Sequence, residues 1–459
     1  MQKIGFDFPA EPRNTVLFDA EERYQHQLSE KLNRPYQPIK RSNFGQYNMA
    51  VNYLTTVLEE ARFIEKVAIF NIDHMAQVRY SGHDAANLLD RVLPANISGM
   101  KIGQCKYTLL LNEQGHVLDD LIVMRFAETE FVAVINAGHD LTGSGVDHGH
   151  SVDVTADADF ISSYKKEWED VTIEDISDRF VKVDVQGPYA YRLLKTVFGE
   201  NVLKNRNDPS KGMGFFTFNE FELDGKTYWL SRTGYTNRWG WEVYLPVSTA
   251  VAYFEQFVQL AADFGGGLVG LGGRDENRIS AGAVGLPLMG QEYDRAHTPT
   301  NCPLFSAAID LEKTDFVGRE AILADRSNTK RMVLFITEGL VVGRGIYLNG
   351  KRLGSVTSSI NSPNVPLGKR LAIGSDRKNV NEPEGVAAIG IGWLNDSPYE
   401  KDESGADILE KDGAAVRIPV EFYREDDGKP TGKPVRGFIS ADGVTPATAP
   451  KPLKNISSL

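Results

Sequence analysis

The chain reads as an α+β protein whose last third is all-β, and three observations carry that reading. Its 459 residues exceed what one compact core holds, so two or three domains are expected. Strand pairs joined by turn residues alternate with amphipathic helices, a pattern of antiparallel sheets layered with helices rather than of repeated strand–helix–strand units. Helical spacing then largely disappears after Arg326.

Taken in order, residues 1–45 are polar and rich in Arg, Gln and Pro, and read as an irregular arm. A helix is expected from near Asn52, where Leu54, Val57, Leu58 and Ala61 recur at helical spacing. Extended patterns follow at 66–70 and 78–80, then a helix from about Asp84 that Pro94 ends. Residues 117–126 and 130–135 read as a hairpin. The Gly-, Asp- and His-rich stretch 138–160 reads as a surface excursion. A strand at 180–185 leads to Gly187-Pro188, with proline in the first turn of a helix through Ala190, Leu193, Leu194 and Val197. Asp224-Gly225 joins strands 215–223 and 226–231, and a helix over 249–264 has Ser248 as its expected cap. Short strands are expected at 332–336, 345–348, 352–357, 386–394 and 415–422, with charged loops at 374–385 and 395–413. The expected division is an arm over 1–45, a mixed region over 46–326, a separate all-β domain over 327–445 and an extended tail over 446–459.

Composition narrows the function classes. A net charge of −12 argues against nucleic acid, which needs clustered Lys and Arg, yet it permits a positively lined pocket. Two cysteines, Cys105 and Cys302, exclude a disulfide framework or a Cys-rich zinc site and fit a reducing, cytoplasmic compartment. Neither a signal-peptide core at the N-terminus nor an apolar run of membrane-spanning length is found, so no membrane association is expected. The sequons at Asn96 and Asn455 are then chance matches.

Four motifs invite chemistry. Gly265-Gly266-Gly267-Leu268-Val269-Gly270 satisfies GxGxxG but follows a helix, so its glycines are read as ending that helix rather than cradling a nucleotide. Asp147-His148-Gly149-His150 offers two imidazoles where a metal needs three or four rigid ligands, and is read as a loop, so no metal is expected. His139 and His297 carry no motif. Asp119-Asp120 places two carboxylates on opposite faces of an apolar strand, so one should face inward. The pair fits a functional acid or a turn residue beside a solvated one, and periodicity does not decide between them. Thr233-Gly234-Tyr235-Thr236-Asn237-Arg238-Trp239-Gly240-Trp241-Glu242 gathers aromatics that can stack on a planar heterocycle and a carboxylate that can accept paired N–H donors. A hairpin with edge aromatics fits its composition equally well.

Six ordered blocks between residues 70 and 363 resemble the aminomethyltransferase family, which includes the T-protein of the glycine cleavage system and tetrahydrofolate-dependent demethylases. They are Phe70 to Met75, Asn112 to Val123, Thr233 to Thr236 with Gly240 and Glu242, Gly270 to Gly282, Asp315 to Ala321, and Gly354 to Ser358 with Ser362-Pro363. The resemblance implies a three-lobed ring of two intertwined ferredoxin-like units plus a C-terminal β-barrel. It also implies tetrahydrofolate as the one-carbon acceptor. By position it puts the catalytic carboxylate on Asp120 and pterin recognition on Glu242. Tyr107, Asn136 and Tyr235 would stand around the cofactor, Arg274 near its glutamate tail and His74 on the substrate side.

Several positions depart from the family pattern. Asn71 and Asp73 flank His74 where the family has Asp and Ser, His116 replaces a glycine before the acidic pair, and Asn301 stands where Glu is usual. Asn237-Arg238-Trp239 replaces a Gly-Glu-Asp-like turn, and Trp239 or Trp241 could wall the site. Because these changes were placed where a donor would approach, the favoured expectation is a catabolic demethylase acting on a small O-, S- or N-methylated compound. The alternatives are a glycine-cleavage aminomethyltransferase acting on a lipoyl carrier protein, and a non-catalytic folate-binding protein.

Overall fold

Strand Phe180–Gln186 alternates Val181, Val183 and Val185 with Lys182, Asp184 and Gln186, yet all six are buried. The computed structural model, which describes residues 12–441 apart from 46, 54–55, 137–156, 283, 294–296, 307, 326–327, 364–386 and 412–413, shows why. This strand lies inside a six-stranded sheet, after Phe218–Leu223, Lys226–Ser231 and Gly240–Pro246 and before Ala68–Asn71 and Gly267–Leu268. The last pair is parallel and the others antiparallel.

The valine face packs with Trp241, Val243 and Leu245 against helices Ala190–Phe198 and Val247–Asp263. Burying each such side chain contributes roughly 1.5–3 kcal/mol. The opposite face meets a second sheet of five antiparallel strands, ordered Cys105–Leu111, Val117–Ala127, Glu130–Ile135, Ala76–Ser81 and Thr172–Asp175. Phe218, Trp229 and Tyr244 of the first sheet share a core with Cys105, Met124, Val132 and Val134 of the second. The polar residues of Phe180–Gln186 therefore point toward the other sheet and not toward water.

On its far side the second sheet buries Val78, Tyr80, Leu121, Val123 and Phe131 against helix Ala85–Val92 and the first turn of Asp157–Ser163. Toward the C-terminus, Arg331–Thr337, Ala388–Leu394, Lys351–Asn361, Gly345–Leu348, Arg417–Asp426 and Lys429–Ser440 pair in that order and close into a barrel. Barrel residues Leu334, Ile389, Ile391 and Trp393 pack on Leu109, Leu111 and Val117, so the barrel abuts the hairpin that carries Asp119-Asp120. Among the described residues no helix is long and apolar enough to cross a membrane.

Several expectations need correction. Within the supposedly irregular arm, Phe18–Lys31 is a helix, because Leu17 and Ala20 sink into the main core while Glu21 finds buried partners. The helix expected near Asn52 is only Val57–Ala61, and the residues before it form strand Tyr47–Asn52. The His-rich motif at 147–150 and His139 lie outside the described residues, as does loop 374–385. Residues 157–160 are no surface excursion, since Asp157 and Ala158 are buried at the start of a helix. Ser248 does not cap Val247–Asp263, whose N-cap is Pro246; its hydroxyl instead accepts a bond from Lys226. Gly265, at φ +77°, ends that helix as expected, and Gly267 enters a short strand.

Candidate functional site

Period-two geometry on Val117–Ala127 sends Asp119 to the helix side with Leu121 and Val123, and Asp120 to the inter-sheet side with Ile122 and Met124. Asp119 is fully buried and Asp120 half-buried. Asn136, one residue past strand Glu130–Ile135, ties them together. Its amide donates to Asp119 Oδ1 at 2.8 Å, to Asp120 Oδ1 at 2.9 Å and to the Asp120 carbonyl at 3.0 Å. Asp120 N–H donates to Asp119 Oδ1 at 2.8 Å. Across the hairpin Asp120 pairs with Leu109, which places Tyr107 on its face. The Tyr107 hydroxyl bonds to Asp120, and burial followed by that carboxylate pushes its ionisation well up. Tyr107 thus stays a neutral donor.

The second group of residues stands on the first sheet. Glu242 and Asp184 face each other in register on neighbouring strands. Glu242 Oε2 accepts from Thr233 at 2.5 Å and pairs with Lys182 at 3.2 Å, where the two side chains are only 5% and 1% exposed. Asp184 accepts from Gln186 at 2.7 Å and from Arg274 at 3.2 Å. Burial first, and Glu242 second, push its carboxyl up to about 7. Two acids in register are tolerated because Lys182 and Arg274 supply two cations among them.

The Thr233-to-Glu242 loop folds around the Gln186 amide. Gln186 donates to the Thr233 carbonyl at 3.0 Å and accepts from Thr236 at 2.8 Å. Gly234 and Gly240 leave room for it, since a Cβ there would lie 2.2 and 2.3 Å from Gln186 side-chain atoms and would displace the amide. Tyr235 donates to the Pro287 carbonyl, and the Arg274 guanidinium lies 5.2 Å from its ring centre. Burial raises the Tyr235 hydroxyl, and Asp120 is among the charges acting on it. Arg274 and Tyr235 therefore link the Glu242 group to the Asp120 group. His74 lies beside Arg274 and Lys182, edge-on to Phe44 at 4.9 Å. Burial and those cations hold it well below the usual imidazole range, so it is neutral, and among the described residues its Nδ1 has no hydrogen-bond partner.

All seven residues singled out from the sequence thus lie along one connected path: Asp120, Asn136, Tyr107, Tyr235, Arg274, Glu242 and His74. Lys182, Asp184 and Gln186 were missed. The alternation Val-Lys-Val-Asp-Val-Gln looks like a strand with one wet face; only the second sheet reveals that face as interior. Trp241 is fully buried on the helix side, and Trp239 packs on the same core with Arg232 4.2 Å from its ring centre, so both are packing residues.

The departures beside His74 also have a structural cause. Asn71 donates to Thr15 at 3.0 Å and to Glu21 at 2.8 Å, and Asp73 accepts from Val16 N–H at 3.2 Å. Both residues seat the N-terminal helix. His116 acts on Asp325, which itself accepts from Thr298, Thr300 and Asn328.

The family described as the GCVT N-terminal domain matches residues 39–313, more than half of the chain. The chain belongs to that family. Relatives named aminomethyltransferase include one from Corynebacterium jeikeium, 30% identical over 74% of this chain and 85% of its own length. Another, from Pseudothermotoga lettingae, is 28% identical over 75% of this chain and 88% of its own. A solved structure of the glycine cleavage system aminomethyltransferase T from Bartonella henselae superposes with a TM-score of 0.67. It covers 95% of this chain and 98% of that one at 22% identity, a likeness of fold. Within the GCVT family match lie all seven predicted site residues and the three that sequence reasoning missed.

Proposed function

We propose that this GCVT-family protein transfers an aminomethyl-derived one-carbon group to tetrahydrofolate, with Asp120 as the catalytic carboxylate. The observation that supports it best is the path from Asp120 through Tyr107, Tyr235 and Arg274 to Glu242, which spans two recognition chemistries. Among the described residues Glu242 bonds Thr233 and Lys182 through Oε2, which suits Oε1 to the N–H donors of an aminopyrimidine edge. The half-buried Asp120 carboxylate, and His74 Nδ1, which has no hydrogen-bond partner among the described residues, are further polar groups suited to ligands.

In this reading tetrahydrofolate supplies the nucleophilic N5 when bound. Lys182 and Thr233 orient Glu242 against the pterin, and Tyr235 and Arg274 flank the ring system and its glutamate tail. Asp120, held by Asn136 and Tyr107, stabilises positive charge at N5 or takes its proton. His74, neutral, faces the donor. Fixed near-attack placement can lower the barrier by several kcal/mol, on the order of 7–11 at best.

The donor favoured from sequence, a small methylated compound, yields first place to an aminomethyl group on a lipoyl carrier protein. Relatives over most of the chain carry the aminomethyltransferase name, and Asn71 and Asp73 are occupied with the N-terminal helix. The three-lobed ring, with boundaries near 45, 326 and 445, is the frame we infer for this site; the closed barrel supports it. A donor panel read by folate mass tests the assignment. Aminomethylated dihydrolipoyl protein should yield 5,10-methylene-tetrahydrofolate together with ammonia and the freed dihydrolipoyl thiol. Product from free O-, S- or N-methyl compounds, with none from the carrier, would replace the aminomethyl donor by a methyl donor.

A further inference from the structure

We propose that a cavity beside the N-terminal helix is a second small-molecule site, separate from the folate site, for a carboxylic acid with an apolar chain and a hydroxyl or amine at its far end.

The cavity has a volume of about 380 Å³. Small-ligand sites ordinarily span roughly 300–1,000 Å³. One wall is helix Phe18–Lys31 with the segment 32–38 that returns along it, and includes Gln25, Leu28 and Arg34. The other includes Lys40, Tyr53 and Val57. The first wall precedes the GCVT match, which begins at residue 39, and the second lies within it. The family domain thus supplies one half of this cavity, and the segment before it supplies the other.

The returning segment is tied to the helix at several points. Tyr36 donates to Glu22 at 3.0 Å and stacks on His26 with ring centres 4.0 Å apart. Arg34 N–H donates to the Ser29 carbonyl at 3.0 Å, and Gln25 Nε2 to the Gln37 carbonyl at 2.9 Å. The walls are therefore set before a ligand arrives.

The polar groups of the lining sort by burial. Gln25 is 6% exposed. Its amide cannot turn over, since Oε1 would then meet the Gln37 carbonyl oxygen. Oε1 therefore points elsewhere, and it has no hydrogen-bond partner among the described residues. A buried acceptor without a donor suits a ligand O–H or N–H. Leu28, Val57 and Tyr53 add apolar surface. Arg34 and Lys40 are exposed, and among the described residues neither has a carboxylate partner and no acid lines the cavity. Two cations without an acid, on a chain of net charge −12, select an anion. A charge at the rim, an apolar middle and a donor at the inner end define the ligand class.

None of the residues assigned to folate lines this cavity. Tyr53 links the two places by hydrogen bonds. Its hydroxyl donates to Glu21 Oε1 at 2.6 Å, which also accepts from Asn71 at 2.8 Å, three residues before His74. Its N–H donates to Glu60, whose Oε2 accepts at 2.9 Å from Gly270 N–H, at the start of the helix carrying Arg274. The two sites share a frame but no lining residue.

Binding of ω-hydroxycarboxylates of increasing chain length, 6-hydroxyhexanoate among them, is measured on the full chain by ligand-observed NMR and calorimetry. Hexanoate, which lacks the donor, and 1,6-hexanediol, which lacks the charge, are the matched controls. The best hydroxy acid should bind roughly five- to tenfold tighter than either of its controls, the scale of one hydrogen bond. The double variant Arg34→Ala/Lys40→Ala should weaken the carboxylates by roughly tenfold and leave the diol unchanged. In Gln25→Met the hydroxy acid should bind no better than hexanoate. Saturating tetrahydrofolate should not compete. No hydroxy acid bound above its controls, or binding untouched by the Arg34 and Lys40 changes, overturns the proposal. Competition with tetrahydrofolate also overturns it, by making the cavity part of the folate site. Gln25 also ties the returning segment, so if Gln25→Met fails to fold, the changes at exposed Arg34 and Lys40 decide. The binding arms need no folate and hold whatever becomes of the Asp120 reading.

Discussion

Lys182 and Glu242 allow a sharp test of the claim that the site is built on buried, mutually dependent charges. Their side chains are 1% and 5% exposed at a separation of 3.2 Å. Removing one partner strands the other in the interior, which costs about 3–5 kcal/mol. In Lys182→Met the stranded group is Glu242, which still faces Asp184 in register, with Arg274 as the remaining cation of the group. In Glu242→Gln it is Lys182, which still acts on Asp184 and otherwise meets, among the described residues, the Met75 sulfur at 3.4 Å and the Tyr244 ring at 5.3 Å. At about 2 °C per kcal/mol for a large chain, each single change should lower Tm by roughly 6–10 °C. The double variant removes both charges together, and replacing a buried pair by neutral groups is often close to neutral. It should therefore be no less stable than either single variant, which in a double-mutant cycle is a coupling of at least about 3–5 kcal/mol. Urea unfolding followed by circular dichroism, with tetrahydrofolate titrated separately, supplies both readouts. Single variants within about 1 kcal/mol of the parent, or losses that simply add, would refute the reasoning.

Two further predictions concern the supports of the site. Burial raises the Asp73 carboxyl from 3.8 to about 7, so the folded protein holds a proton that the unfolded chain releases near 4. Stability from this group is full below about pH 4 and is lost as pH rises through about 7. Asp184 adds a slope of the same sign. Asp73→Asn should reduce the fall in urea midpoint between these pH values without abolishing it, and an unchanged slope would contradict the assignment. Arg278, 1% exposed, bonds Asp275 at 2.7 Å, Glu292 at 2.8 Å and the Leu286 carbonyl at 3.0 Å, with Gln291 at 2.9 Å and Ser358 at 3.0 Å. Lysine cannot reproduce that fork. Arg278→Lys should cost about 3–5 kcal/mol in thermal or urea unfolding, and parental stability would show that the forked contacts contribute little.

The mixed sheet-and-helix character was legible because hairpin turns and helical spacing are local signals. Asp224 at φ +51° and Gly225 at φ +70° make the turn that their dipeptide announces. Asp427-Gly428, at φ +49° and +69°, makes another, and it leads into strand Lys429–Ser440, whose Pro430, Gly432 and Pro434 obscure the extended pattern. The N-terminal helix was hidden because its stability comes from distant partners, Tyr53, Asn71 and Arg41, on buried Glu21.

The site divides the same way. Asp120 and Glu242 stand in compact local motifs and drew notice from sequence. Lys182 and Asp184 did not, because a polar face on a strand looks solvated until a second sheet covers it. The departures at Asn71 and Asp73 were legible as differences, but their cause lay in contacts with residues 50 or more positions away.

The most direct test of the central claim compares the parent with Asp120→Asn in single turnover, with folate products followed by mass and tetrahydrofolate binding measured in parallel. The account predicts near-parental binding, because Glu242, Lys182 and Arg274 are untouched, and a loss of roughly 10²–10⁴ in the rate of one-carbon transfer. Transfer at the parental rate by Asp120→Asn would contradict it.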